Sequence, residues 1–196
     1  MTRYDVIVAG LGAMGSAAAC HLARRGALVL GLDRFTPPHA SGSSSGKSRI
    51  IREAYFEHPA YVPLVRHAYE LWRALERDSG RELLRETGGL MIGPPDGALV
   101  SGALLSARTH DLPHEILDAA ELRKRHPAMR PEAGVIAVWE PRAGVLFPEA
   151  CIAAHLDRAA RAGRRFGPTS RYSRGARRTV ESRSRPPRRA IARRSS

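Results

Sequence analysis

Asp5-Val-Ile-Val-Ala-Gly-Leu-Gly-Ala-Met-Gly15 is the stretch on which the reading of the fold turns. A short, continuous, β-branched run that ends in glycine predicts a strand buried on both faces of a parallel sheet. Ser16-Ala-Ala-Ala-Cys-His-Leu-Ala-Arg-Arg25 follows, rich in helix formers, with Gly26 where a helix stop belongs. Ala27-Leu-Val-Leu-Gly-Leu32 repeats the buried-strand pattern and is closed by Asp33. The first 33 residues therefore read as one complete β-α-β unit.

Within that unit, Gly10, Gly12 and Gly15 have the G-x-G-x-x-G spacing. The spacing alone is weak, but here it leaves a strand, opens a helix and has an acid at the end of the second strand, the context of a dinucleotide site. Gly10 permits the tight turn, Gly12 lacks the Cβ that would block a pyrophosphate, and Gly15 lets helix and strand pack closely. The helix N-terminus offers unpaired N–H groups and a positive dipole to phosphate. Asp33 can accept hydrogen bonds from a ribose and would repel a 2′-phosphate, which disfavours NADP. FAD and NAD both remain open on these residues.

Further along, the Gly/Ser-rich segment 36–48, with Pro37 and Pro38 near its start, reads as a loop. A helix is predicted from about Ala60 to Ser79, with Val65, Ala68, Tyr69, Trp72 and Leu75 on one face and Gly80 as its stop. Strands are predicted at 87–93 and 134–139, and helices at about 97–110, after the Asp118/Glu121 capping pattern, and from Pro148 to about Ala162.

The chain has 196 residues, 32 basic and 19 acidic, for a net charge of +13. Such a balance would suggest a nucleic-acid partner, but it is not spread evenly. Residues 164–196 hold 12 Arg, no Lys and one acid, net +11, leaving 20 basic and 18 acidic residues before them, net +2. The body is an ordinary near-neutral globular sequence. The tail has no strand or helix period and is expected to be disordered. Its abrupt change of texture, together with 30 Arg against 2 Lys overall, is read as an out-of-frame continuation in GC-rich DNA. A basic-tailed nucleic-acid binder is the competing reading, without aromatic interleaving to support it.

Cys20 and Cys151 read as small buried apolar residues, not a disulfide framework. His58, His110, His114 and His126 are too scattered to suggest a metal site. His21 and His155 read as structural or exposed, and Trp72 and Trp139 as core. No signal peptide or apolar membrane span is apparent, so a cytoplasmic location is expected.

Several separated stretches then resemble one family in the right order. They are Asp33-Arg-Phe-Thr-Pro-Pro-His39, Gly42-Ser43, Gly46-Lys-Ser-Arg-Ile-Ile-Arg-Glu-Ala-Tyr55, Tyr61-Val-Pro63, Glu70-Leu-Trp72, Thr87-Gly-Gly89 and Gly144-Val-Leu-Phe-Pro148. The sequence is similar, over about residues 4–163, to the monomeric sarcosine oxidase and N-methyl-tryptophan oxidase family, flavin-dependent amine oxidases of the D-amino-acid-oxidase group. The resemblance implies an α/β chain: an incomplete Rossmann-like FAD-binding domain (1–80 and 134–163), part of a mixed-sheet substrate domain (81–133) and the 164–196 tail.

It also implies roles. Gly10, Gly12, Ala13, Met14 and Gly15 would line the FAD pyrophosphate, Asp33 would meet the adenosine ribose, and Arg34 is a further cofactor-binding candidate. His39, Gly42 and Ser43 would follow the cofactor, Arg49 and Ile50 would lie against the isoalloxazine, and Arg52 would bind the substrate carboxylate bidentately. Arg49 and Arg52 are the catalytic candidates. The implied substrate is a small N-methyl or other secondary amino acid, oxidised with oxygen as co-substrate. Family members are roughly twice this long, and their flavin-linking cysteine and oxygen-activating lysine lie in the second half. The whole protein is expected to be monomeric, and a fragment aggregation-prone. One departure stands out: the family often has histidine or aspartate between Ser43 and Arg49, where this chain has Ser44-Ser45-Gly46-Lys47, which bears on the polarity around the flavin.

Overall fold

A computed structural model describes residues 3–162, so the expectations for the 164–196 tail lie outside the described residues. The β-α-β unit forms as expected. Strand β1 (Val6–Ala9) pairs in parallel with β2 (Val29–Leu32), in the register Val6–Val29 to Ala9–Leu32. Helix α1 (Ala13–Arg24) connects them. Gly26 takes a left-handed φ of +91° and turns the chain from α1 toward β2.

The expectation of burial on both faces fails for β1. Its exposure alternates, and Ile7 is 52% exposed. The cause is architectural. The sheet has two strands among the described residues, and one face alone is covered, where α1 and α5 (Pro148–Arg161) pack. Leu11, Ala19, Cys20, Ala23, Val29 and Ala159 form that core.

Two antiparallel sheets complete the described fold. Strand β8 (Gly144–Leu146) lies between β3 (Arg49–Ile51) and β4 (Leu84–Glu86). Strand β7 (Ile136–Glu140) lies between β5 (Gly89–Gly93) and β6 (Glu115–Asp118). Helix α3 (Ala98–Thr109) buries Val100, Ala103 and Ala107 against Met91 and Val138 of the second sheet.

The long predicted helix is divided at its start. Pro59–Tyr61 forms a 3₁₀ turn and α2 runs over Val62–Ser79, ended by Gly80 at φ +67°. Val65 and Tyr69 pack against Ile51 and Leu84, and Leu75 against Leu83, Cys151 and Ala154. Glu76 secures the next turn by accepting from both Leu83 N and Leu84 N at 2.9 Å. Helix α4 (Ala119–Arg125) starts on Asp118, whose Oδ1 accepts from Ala120 N and Glu121 N at 2.8 Å. Cys20 and Cys151 are free and buried, as expected.

Candidate functional site

The glycine turn after β1 is built for a close approach. Gly10 sits at φ +88°, a conformation that L side chains rarely adopt. A Cβ on Gly15 would lie 1.7 Å from the Gly10 carbonyl oxygen, so only glycine lets α1 leave the strand this tightly. Gly15 thus serves packing. Gly12 is the N-cap of α1 and supplies no side-chain acceptor to the first turn. The acceptor comes from the distant loop: Ser44 Oγ receives the Ala13 amide at 3.1 Å.

Gly10, Gly12, Asp33, Arg34, His39, Gly42 and Ser43 together wall a cavity of about 310 Å³. Asp33 is its keystone. Its Oδ2 accepts from Leu11 N at 2.7 Å, and its Oδ1 accepts from Phe35 N and His39 Nε2, both at 3.1 Å. His39 Nδ1 accepts from Ser41 N at 3.2 Å, which fixes the neutral ring as the Nε2–H tautomer, donating to Asp33. Burial pushes the Asp33 carboxyl up, but the hydrogen bonds from Leu11, Phe35 and His39 outweigh it and hold the group below its ordinary range.

The residues of β3 are placed differently. Arg49 Nη2 donates to the carbonyls of Ser43 and Ser45 at 2.8 Å, and Nη1 to that of Ser48 at 2.9 Å. Arg49 therefore clamps the serine loop, and with Ala13 and Met14 it borders a second, apolar cavity. Ile50 is exposed beside it. Gly46 N donates to Glu149 Oε1 at 3.1 Å, which ties the same loop to α5.

Arg52 lies apart from both cavities. Its guanidinium stacks over Tyr55 and Phe56, at 4.7 and 5.4 Å from the ring centroids. Its Nη2 meets both Glu57 carboxylate oxygens at 3.4 Å, and its buried Nε has no hydrogen-bond partner. The backbone that carries it is pinned by buried Glu140, which accepts from Glu53 N at 2.5 Å and Ala54 N at 2.9 Å. Burial raises the Glu140 carboxyl above its usual range, more than those two amides lower it. Behind it, Glu53 pairs with Arg142 at 3.1 Å, and Tyr69 donates its hydroxyl to the Arg142 carbonyl at 2.7 Å.

The structure thus gathers seven of the expected cofactor residues around one cavity, puts Ala13, Met14 and Arg49 at its neighbour, and leaves Gly15, Ile50 and Arg52 outside both. Sequence reasoning missed Ser44 and Glu140. Their partners lie 31 residues and more than 80 residues away, beyond any local pattern. His155, read as structural or exposed, is buried on α5.

The residues present fit a dinucleotide. The cavity is floored by glycine backbone, and a hydroxyl oxygen stands at the helix N-terminus where a phosphate oxygen would bind.

Several known proteins are similar to this chain. Monomeric sarcosine oxidase of Streptomyces avermitilis is 55% identical over 160 residues, 82% of this chain and 42% of that protein. N-methyl-L-tryptophan oxidase of Yersinia pestis is 37% identical over 160 residues, 82% of this chain and 43% of that protein. The solved structure of NikD, an amino acid oxidase of nikkomycin biosynthesis, superposes with a TM-score of 0.73 at 30% identity, over 82% of this chain and 42% of NikD. The chain therefore spans less than half the length of these relatives. No helix among the described residues is long and apolar enough to cross a membrane. Residues 5–181 match the DAO family of FAD dependent oxidoreductases, and the chain belongs to that family.

Proposed function

We propose that this chain carries the FAD-binding part, and one substrate-carboxylate anchor, of an oxidase acting on an N-methyl or other secondary amino acid. The observation that carries the reading is the Ser44 hydroxyl on the Ala13 amide above Gly12, within a cavity bordered by Asp33. A pyrophosphate oxygen satisfies the same amide, and the bare Gly12 backbone lets it approach. The ribose hydroxyls then fall to Asp33, whose carboxylate keeps acceptor capacity beyond its three present hydrogen bonds. Bound FAD would supply a two-electron acceptor that oxygen reoxidises, releasing peroxide.

The chain's own residues bind and orient. Arg49 brings a permanent positive charge to the mouth of the neighbouring cavity while holding residues 43–48 in place. Arg52 offers a guanidinium with an unsatisfied Nε and only two long contacts to Glu57. A substrate carboxylate can replace Glu57 with shorter, bidentate bonds. Tyr55 and Phe56 exclude water from one face of that pair. The relatives are named for sarcosine and N-methyl-L-tryptophan, both secondary amino acids with a free carboxylate.

The experiment is purification of the full chain, a reading of flavin absorbance, and an assay of peroxide release with sarcosine. The reading predicts FAD uptake, and peroxide output that is lost in Arg52→Gln with FAD uptake retained. A colourless chain that instead shifts DNA at low salt overturns it.

A further inference from the structure

A third cavity, of about 400 Å³, shares no wall residue with the two already described. Its walls are charged. Arg66, Glu70, Arg73 and Arg77 stand at helical spacing along one face of α2. Glu86 of β4 and Arg142, from the turn between β7 and β8, also line it. Glu53 lines it from the interior, at 1% exposure.

Some of these groups are already engaged. Arg73 donates through Nη1 to Glu76 Oε2 at 2.7 Å and to the Leu84 carbonyl at 2.9 Å, and through Nη2 to Glu86 Oε1 at 2.5 Å. Glu70 meets His67 at 3.0 Å. Three other guanidiniums keep donors to spare. Arg66 donates once, from Nη2 to the His110 carbonyl at 3.1 Å. Arg142 lies over the Tyr69 ring and pairs with Glu53 alone, and Arg77 has no partner among the described residues. Against these donors stands one orphaned acceptor. Glu53 Oε1 is 3.1 Å from Arg142 Nη1 but out of hydrogen-bond alignment, and it is buried with no hydrogen bond. Such an atom is costly until a donor reaches it.

The unpaired groups define a ligand rich in acceptors that carries one donor. Four guanidiniums in the wall exclude a metal cation by repulsion. An amino acid matches poorly, with three ammonium donors for one acceptor and two oxygens for three guanidiniums. Hydrogen phosphate matches, with three acceptor oxygens and one P–OH at neutral pH. We infer that this cavity is a binding site for free hydrogen phosphate. Arg66, Arg77 and Arg142 meet its charged oxygens, and Glu53 Oε1 accepts from its P–OH. Sulfate has the same shape and charge but no proton, so it sets a lone pair against the Glu53 carboxylate and is rejected. The site is independent of the flavin and of which amine is oxidised.

The test is a calorimetric titration of the purified full chain with sodium phosphate, and separately with sodium sulfate, at neutral pH and matched ionic strength. The expected outcome is saturable one-to-one binding of phosphate, with sulfate at least tenfold weaker. Arg77→Gln, at an exposed position with no partner to lose, should weaken phosphate at least tenfold. Glu53→Gln replaces the carboxylate by an amide that can also donate, and should bring the two anions within threefold of each other. Absence of phosphate binding overturns the proposal, as does equal binding of the two anions by the parent chain. Phosphate binding indifferent to Arg77→Gln also overturns it, since the ion then sits elsewhere, such as at the glycine turn. Should the buried Glu53 substitution unfold the chain, Arg77→Gln and the comparison of anions decide the matter.

Discussion

The Ser44 hydroxyl accepts the Ala13 amide at 3.1 Å, so the serine loop itself caps the helix that opens the glycine turn. The same oxygen would lie 3.1 Å from a Cβ placed on Gly12, which puts it over the backbone a pyrophosphate must approach. Loop and phosphate therefore use one donor. Ser44→Ala should destabilise the ligand-free chain by about 1 kcal/mol, the usual worth of an N-terminal cap, while leaving FAD affinity unchanged or improved. Urea denaturation and a fluorescence titration with FAD check the two halves. A tenfold loss of affinity would show that Ser44 stays on the phosphate instead of yielding to it.

Gly15 separates packing from phosphate binding. An added Cβ 1.7 Å from the Gly10 oxygen cannot be relieved by a side-chain rotation, because the obstacle is backbone. Gly15→Ala should therefore cost roughly 3 kcal/mol or more, seen as a lowered melting temperature by circular dichroism with no ligand present. A variant as stable as the parent would contradict the tight exit of α1 from β1.

Asp33 sets an acid limb. Its folded-state carboxyl is held below its ordinary value, so its stabilisation is fully present above that value. It is lost as pH falls through the lowered, folded-state value. Asp33→Asn should cost about 2 kcal/mol near neutrality, and should flatten the loss of stability in the carboxylate range. Chemical denaturation across that range, with parent and variant compared, is the measurement.

His155 acts in a higher window with a base's sign. Burial, aided by the neighbouring charges of His21 and Arg158, lowers it from 6.5 to about 4. The unfolded chain then takes up a proton first as pH falls. Stability should decline between pH 6.5 and 4, by about 3 kcal/mol if the imidazole stays buried, and level off below. His21, lowered chiefly by its own burial, adds to the same limb. His155→Gln should remove most of the decline, and an unchanged slope would place the titration elsewhere.

The legible parts of this molecule were those held by local pattern. The β-α-β unit, the Gly26 and Gly80 stops, the Asp118 cap and the helix opened by Pro148 all rest on neighbours within a few residues. Strands β4, β6 and β8, at three or four residues each, are too short to show a period. Exposure of Ile7 escaped notice because a buried-strand composition says what a strand can pack against, not whether a second layer is there. At the site, the glycines and Asp33 were readable from spacing. Arg49 was expected at a cofactor ring, and its bonds to three loop carbonyls appear only once the loop is folded back. Glu140, which carries the backbone beyond Arg52, lies on another sheet and leaves no trace near residue 52.

The central claim is that the cavity between the glycine turn and Asp33 takes the adenosine and pyrophosphate of FAD. A calorimetric titration of the purified full chain with FAD, repeated in the presence of ADP, tests it directly. The account predicts saturable one-to-one binding that ADP competes away and that Gly12→Glu abolishes without unfolding the chain. Binding that ADP does not affect, or that survives Gly12→Glu, would contradict it.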